Sequence, residues 1–209
     1  MAAPSVVKII PEQSVILICD LQTRFSEPAV SHFDKVVTTV NKMIKIAKVC
    51  GVPVIVTEQN SRALGHTVPE VDLQSLGVLH LATVEKSLFS MCTAEVDAFF
   101  KQHNFKSIIV MGIEAHICVL ISCLDFLSQG YDVHLVADGV SSVNKEEIPY
   151  AFERLRQAGV TIGTSESIAF QLQLDSAKPN FKLFANTIKE EKESTKDVLQ
   201  TLLPAKSVL

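Results

Sequence analysis

Three residues of reactive type stand just beyond apolar runs. Asp20 follows Val15-Ile-Leu-Ile-Cys19, Lys86 comes after the weaker run Val78 to Val84, and Cys118 lies past Gly112, which closes Ser107 to Met111. A carboxylate, an ammonium and a thiol held together can run acyl chemistry, with the carboxylate as base and the thiol as nucleophile. Taken singly, each has an ordinary alternative. Asp20 could be a metal ligand, but Gln22 stands where a second aspartate would be needed; it could also cap a strand end. Cys118 opens a helix-period segment, where the positive end of the helix dipole favours a thiolate and free N–H groups can hold an oxyanion. It could equally be a buried core cysteine, which is the expectation for Cys123 deeper in the same segment. Lys86 could be a solvated surface lysine.

The elements that must position these residues are legible as alternating patterns. Short apolar runs also cover Val52 to Val56, Val133 to Ala137 and Val160 to Gly163. Continuous runs of this length suit strands buried on both faces, as in parallel sheets. Helix-period segments lie between them. Asp34 to Cys50 carries Val36, Val40, Met43, Ile44 and Ala47 on one stripe, with Gly51 as a stop. Thr93 to His103, Ile117 to Gln129 and a helix from Thr164 to about Leu174 follow the same logic, and Asn144 with Glu147 predicts a capping box. The fold class is therefore α/β: a three-layer, doubly wound, Rossmann-like sheet of about six mostly parallel strands. Ligands bind such sheets beyond the carboxyl ends of the strands, which singles out Asp20, Glu58, Lys86, Gly112 to Cys118, Asp138 and Thr164.

Length and composition set the outer limits. The chain has 209 residues, 47% of them apolar, and a net charge of −4. One domain over residues 1–185 is expected, followed over 186–209 by a charged surface helix or loose tail. No Lys/Arg stripe marks a nucleic-acid partner, and no apolar run approaches a membrane span. The five cysteines form no CxxC pair, and Met1 to Ile10 lacks the charged start and apolar core of a secretory signal. Free thiols in a reducing compartment are expected, cytoplasmic in the first instance, with a mitochondrial address as the alternative. Ser207-Val208-Leu209 is a poor peroxisomal signal. Association into a homo-oligomer is expected, with no cofactor.

Taken together, the motifs resemble the isochorismatase-like cysteine hydrolases. Asp20-Leu-Gln-Thr-Arg-Phe25 is similar to the family's first motif, Lys86 with Phe89 to its second, and Gly112-Ile-Glu-Ala-His-Ile-Cys118-Val119 to its third. Val136-Ala-Asp-Gly-Val-Ser-Ser142 and Thr164-Ser-Glu166 also match. The resemblance runs from about Ser14 to Leu174 and is strongest to the eukaryotic isochorismatase domain-containing proteins, which show Gly-Ile-Glu-Ala here. It implies a triad of Asp20, Lys86 and Cys118 acting on a small amide or related acyl compound. It also implies an oxyanion hole from the N–H groups of Glu114 and Cys118, and a cis peptide between Ile113 and Glu114. Phe25 and Phe89 would line an apolar pocket, with Gln22, Glu58 and Gln59 as polar substrate contacts.

The sequence departs from relatives in instructive ways. Nicotinamidases of the superfamily hold a metal through Asp-x-His and a later His; the matching stretch, Thr57 to His66, has a single histidine, so no metal is expected. Isochorismatases proper lack the cysteine, so Cys118 argues against vinyl-ether cleavage. Ala115 stands where many relatives have Thr, and His116 where Asp is common. A Cys118–His116 dyad is disfavoured, since residues two apart do not face each other on a helix. The competing functions are an inert or weakly active fold acting as a binding scaffold, and a nuclease, which would need a basic groove or metal-binding carboxylates.

Overall fold

The computed structural model describes residues 7–26 and 28–203. Strands β1 (Ser14–Cys19), β2 (Val54–Gln59), β3 (His80–Lys86), β4 (Ser107–Ile113), β5 (Asp132–Ser141) and β6 (Thr161–Gly163) form one sheet in the order β3-β2-β1-β4-β5-β6. Every neighbouring pair is parallel. Both faces of such a sheet must be covered, which is why its two central strands, β1 and β4, are almost wholly apolar. All residues of β1 and β4 are buried. The expected doubly wound α/β architecture is the observed one.

Helices α1 (Phe33–Cys50), α2 (Ser61–Leu64), α3 (Ala94–His103), α4 (Leu120–Ser128), α5 (Ile148–Ala158), α6 (Ser165–Gln173), α7 (Phe181–Glu190) and α8 (Lys192–Leu202) complete the fold. Alternate residues of β1 point into two separate cores, as strand geometry requires. Ile16 and Ile18 join Val36, Val40 and Met43 of α1 and Ile168 and Leu172 of α6. Val15, Leu17 and Cys19 join Val96 and Phe100 of α3, Cys123 and Phe126 of α4 and Leu155 of α5. Cys118 belongs to this second core.

Two local expectations need correction. The segment expected as a helix from Ile117 starts earlier and wider: Ala115–Val119 is a π-helical turn, with the Val119 N–H donating to the Glu114 carbonyl at 3.2 Å, and α4 proper begins at Leu120. Asn144 makes no side-chain cap. Lys145–Glu147 form a 3-10 turn and α5 starts at Ile148, with Pro149 in its first turn, where a missing N–H is harmless. Of the two alternatives for the stretch from 186, the helical one is observed up to Leu202: it forms the second half of α7 and all of α8, which bury Thr187 and Val198. The Thr164 cap does form, its hydroxyl accepting from the Ser167 N–H at 3.3 Å.

β5 carries a bulge. Val110 pairs with Leu135, but Gly112 pairs with Val140, so β5 spends extra residues over the same rise. Asp138 sits in that bulge. No helix among the described residues is long and apolar enough to cross a membrane. Residues 1–6 of the N-terminal stretch and Ser207-Val208-Leu209 lie outside the described residues.

Candidate active site

The strand order reverses between β1 and β4, which opens a crevice at their carboxyl ends. Asp20 is the first residue beyond β1. Its backbone lies in the left-handed region at φ 51°, uncommon for a residue with a side chain, and its N–H donates to the Thr57 carbonyl at 3.1 Å. Both carboxylate oxygens are engaged. Oδ2 accepts from Lys86 Nζ at 2.7 Å and Oδ1 from Thr57 Oγ1 at 2.7 Å. Lys86, the last residue of β3, is buried and also bonds Gln59 Oε1 at 2.8 Å and the carbonyls of Leu88 and Phe89 at 3.2 and 3.1 Å. A buried ion pair is tolerated when its remaining bonds are satisfied in this way.

The sulfur arrives from β4. Gly112 has φ 118°, and a Cβ there would stand 2.2 Å from the Cys19 carbonyl oxygen, so only glycine lets the β4 backbone pass β1 this closely. The peptide between Ile113 and Glu114 is cis. The π-helical turn follows and places Cys118, with 8% of its surface exposed, in the second core. Cys19, the residue before Asp20, belongs to the same core, and its neighbour across the sheet is Gly112. Burial pushes the Cys19 thiol well up; the bond to Cys118 and the Asp20 carboxylate push the same way, and Lys86 opposes them.

The expected substrate contacts are used unevenly. Gln22 is fully buried and spends its amide on the protein, donating to the Gln59 and Gly65 carbonyls at 3.0 and 2.6 Å and accepting from the Gln59 N–H at 2.7 Å. Glu58 is likewise committed, to His66 Nδ1 at 2.8 Å and to the Thr67 N–H and hydroxyl at 2.7 and 2.8 Å. Burial works against the Glu58 carboxylate, but the Thr67 and His66 bonds outweigh it and hold the group below the usual range. Both residues strap the 59–67 loop onto the segment after β1. Gln59 holds Lys86 with its oxygen and the Ser87 carbonyl with its nitrogen, at 2.9 Å. Phe25 packs against the first core, while Phe89 is 58% exposed at the end of β3.

Glu114 turns its carboxylate away to the Val143 N–H at 2.8 Å, which leaves its backbone as the part near Cys118. His116 bonds Ser142 Oγ through Nδ1 at 3.0 Å. Two participants went unrecognised in the sequence. Thr57 was visible only as the residue closing the second apolar run, and Cys19 only as the last residue of the first. The register that sets Cys19 beside both Thr57 and Gly112 explains their roles. A cavity of about 330 Å³, lined by Gln59, Asn60, Glu85, Lys86 and Ser87, lies against the lysine. A larger one of about 520 Å³ lies elsewhere, between Thr23, Phe33 and Pro69. No group of three or more His, Cys, Asp or Glu able to hold a metal occurs among the described residues.

Comparison with known proteins adds four findings. The isochorismatase domain family model matches residues 14–167. Isochorismatase family protein 1A of Dictyostelium discoideum is 43% identical over 191 residues, covering 90% of this chain and 92% of that protein. The structure of the MAR1 ribonuclease of Caenorhabditis elegans is 35% identical with a TM-score of 0.81, covering 88% of this chain and 93% of that one. The YcaC gene product of Escherichia coli, described as an octameric hydrolase of unknown specificity, has a TM-score of 0.73 over 97% of this chain and 94% of its own; at 21% identity the likeness is one of fold.

Proposed function

Given that this chain belongs to the isochorismatase-like hydrolase family, we propose that it is a cysteine hydrolase of a small amide or related acyl compound, acting through a thioester on Cys118. The observation that carries this reading is the buried Lys86–Asp20 ion pair at the crevice of the sheet, beside the strand whose Gly112 leads into the turn that carries Cys118. Asp20 takes the Cys118 proton, and the thiolate attacks the carbonyl carbon. The N–H groups of Glu114 and Cys118 hold the resulting oxyanion. Collapse of the intermediate breaks the C–N bond as Asp20 passes its proton to the departing amine. Asp20 then takes a proton from water, the hydroxide cleaves the thioester, and the proton returns to the Cys118 sulfur as the acid leaves. Lys86 keeps its charge throughout, so that thiolate and carboxylate can coexist without mutual repulsion.

Leu88, Phe89, Val143 and Tyr150 support association with further copies, because all four are large apolar side chains left exposed, the first three just past strands β3 and β5. The mass of the protein in solution tests this.

The test of function is a panel of small amides assayed for released ammonia, beside Cys118→Ala, with iodoacetamide mapping of all five cysteines. Amide turnover that disappears in Cys118→Ala, with Cys118 labelled first, supports the proposal. Uniform slow labelling and no turnover favour the inert scaffold. The MAR1 ribonuclease neighbour gives a second reading, so an RNA substrate belongs in the panel. Cys118-dependent RNA cleavage with no amide turnover replaces the amide proposal. The site argues for the amide, because its buried cation is already bound to Asp20 and the protein's net charge is −4.

A further inference from the structure

The Gln22 side chain bonds the Gln59 backbone as a neighbouring strand would. Its Nε2 donates to the Gln59 carbonyl at 3.0 Å and its Oε1 accepts from the Gln59 N–H at 2.7 Å. The Gln59 side chain carries the connection onward: Oε1 accepts from Lys86 Nζ at 2.8 Å, and Nε2 donates to the Ser87 carbonyl at 2.9 Å. Lys86 then bonds Asp20 Oδ2 at 2.7 Å, and the Gln22 N–H donates to the Asp20 carbonyl at 2.8 Å. Asp20, Lys86, Gln59 and Gln22 thus form a closed ring of hydrogen bonds in which Asp20, Lys86 and Gln22 are buried. An ammonium has three N–H donors. Asp20 and Gln59 take one each, and the carbonyls of Leu88 and Phe89 compete for the third, so none is left over for a substrate.

We propose that Gln22 and Gln59 are positioning residues that hold the Lys86 ammonium against Asp20, Gln59 by bonding the ammonium and Gln22 by fixing the backbone from which Gln59 reaches it. The assignment rests on the cysteine-hydrolase reading and deepens it. A lysine ammonium rides on a flexible four-carbon stem, so one bond to Asp20 leaves it free to swing. The Gln59 oxygen adds a second point of attachment. It is also a neutral one: a carboxylate in its place would compete with Asp20 for the charge of Lys86, whereas an amide leaves that charge to the catalytic groups. In this role neither glutamine takes a proton or touches the reacting atoms. Gln22 acts through Gln59, and Gln59 acts through Lys86.

The test is the rate of iodoacetamide alkylation at Cys118, read by peptide mapping on the full chain at a series of pH values. Native protein is compared with Gln59→Met, Gln22→Met and the double variant. Gln59→Met removes the oxygen on Lys86; alkylation near neutrality should slow about tenfold, and the pH of half-maximal alkylation should rise by about one unit. Gln22→Met loosens the same contact at one remove and should slow alkylation about threefold. The double variant should alkylate at the rate of Gln59→Met alone, because a residue that works through Gln59 has nothing left to act on. A merely structural Gln22 would add its own loss to that of Gln59. If Gln22→Met folds poorly, Gln59→Asn takes its place: it keeps the amide one methylene short of Lys86 and should match Gln59→Met. Gln59→Met within about twofold of native across the series overturns the assignment, as do losses that multiply in the double variant or a native-like Gln59→Asn. The hydrolase reading fails on the native protein alone, if Cys118 is alkylated no faster than the half-buried Cys50 and Cys92 and no amide is turned over.

Discussion

Among the described residues two lysines are buried, and their surroundings differ in kind. Lys86 ends β3 and bonds a carboxylate directly, 2.7 Å from Asp20. Lys42 lies within α1 and bonds two hydroxyls, Ser165 Oγ at 3.1 Å and Thr195 Oγ1 at 2.9 Å. The carboxylate of its network, Asp138 in the β5 bulge, is one step away and is taken by the Ser165 N–H and hydroxyl, each at 2.6 Å. Burial pulls the Lys42 ammonium down, with Asp138 opposing. Both clusters satisfy their buried polar atoms, and both link distant parts of the chain. The Lys42 cluster pins α8 to α1 and α6 and contains no thiol. The Lys86 cluster lies at the crevice where the strand order reverses, and Asp20 in it follows directly on Cys19, which shares a core with Cys118. Buried charge by itself thus marks a folded core; the reading of the Lys86 cluster as reactive, proposed above, rests on its place at the strand ends.

The contrast can be broken in order of expected effect. Cys118→Ala should abolish amide turnover, by about 10⁴-fold or more, and leave the melting temperature nearly unchanged. Retained turnover would place the nucleophile elsewhere. Lys86→Met leaves Asp20 as an unpaired buried anion; a loss of about 3–5 kcal/mol in stability is expected, together with loss of the selective labelling of Cys118. Denaturant unfolding and cysteine mapping of the same sample check both at once.

A third buried group sharpens the comparison because it lacks any partner. Neither ring nitrogen of His134, on β5, finds a hydrogen-bond partner among the described residues. Burial lowers His134 to about 4, with Asp132 opposing. The unfolded chain takes up the His134 proton near its ordinary value of 6.5, while the folded chain resists until about 4. Stability is therefore full above about pH 6.5 and declines as pH falls toward 4, by about 3 kcal/mol from this residue. His134→Leu should flatten that decline in urea titrations; an unchanged slope would mean the imidazole is hydrated or paired in solution.

The smallest effect is expected at Lys42. Lys42→Met removes a cation whose neighbours can bond one another, since Ser165 keeps both bonds to Asp138. A loss of about 1–2 kcal/mol is expected, with Cys118 labelling and turnover unchanged. Should Lys42→Met silence Cys118 as Lys86→Met does, the separation of the two clusters is wrong.

What could be read along the chain follows from how local each signal is. The parallel strands and the long helices declared themselves through runs and periods of a few residues, and Thr164 announced its helix as a cap. Asp20, Lys86 and Cys118 were conspicuous because strand ends are where such sheets bind ligands. The capping box at Asn144 was misread because a proline two residues past Glu147 let the helix start later. The bond from Gln22 to the Gln59 carbonyl spans 37 residues, so no local pattern announced it.

The sequence by itself determined the α/β alternation, the layered sheet and the three reactive residue types at its carboxyl edge, since these depend on short-range hydrophobic patterning. Only the tertiary structure decided which of them meet. The Asp20–Lys86 bond spans 66 residues and the Lys42–Ser165 bond 123. The pairing of Cys19 with Thr57 and Gly112 depends on strand order. Partnership between buried polar groups is set by the register of strands that are neighbours in space and distant along the chain, and no local pattern encodes it.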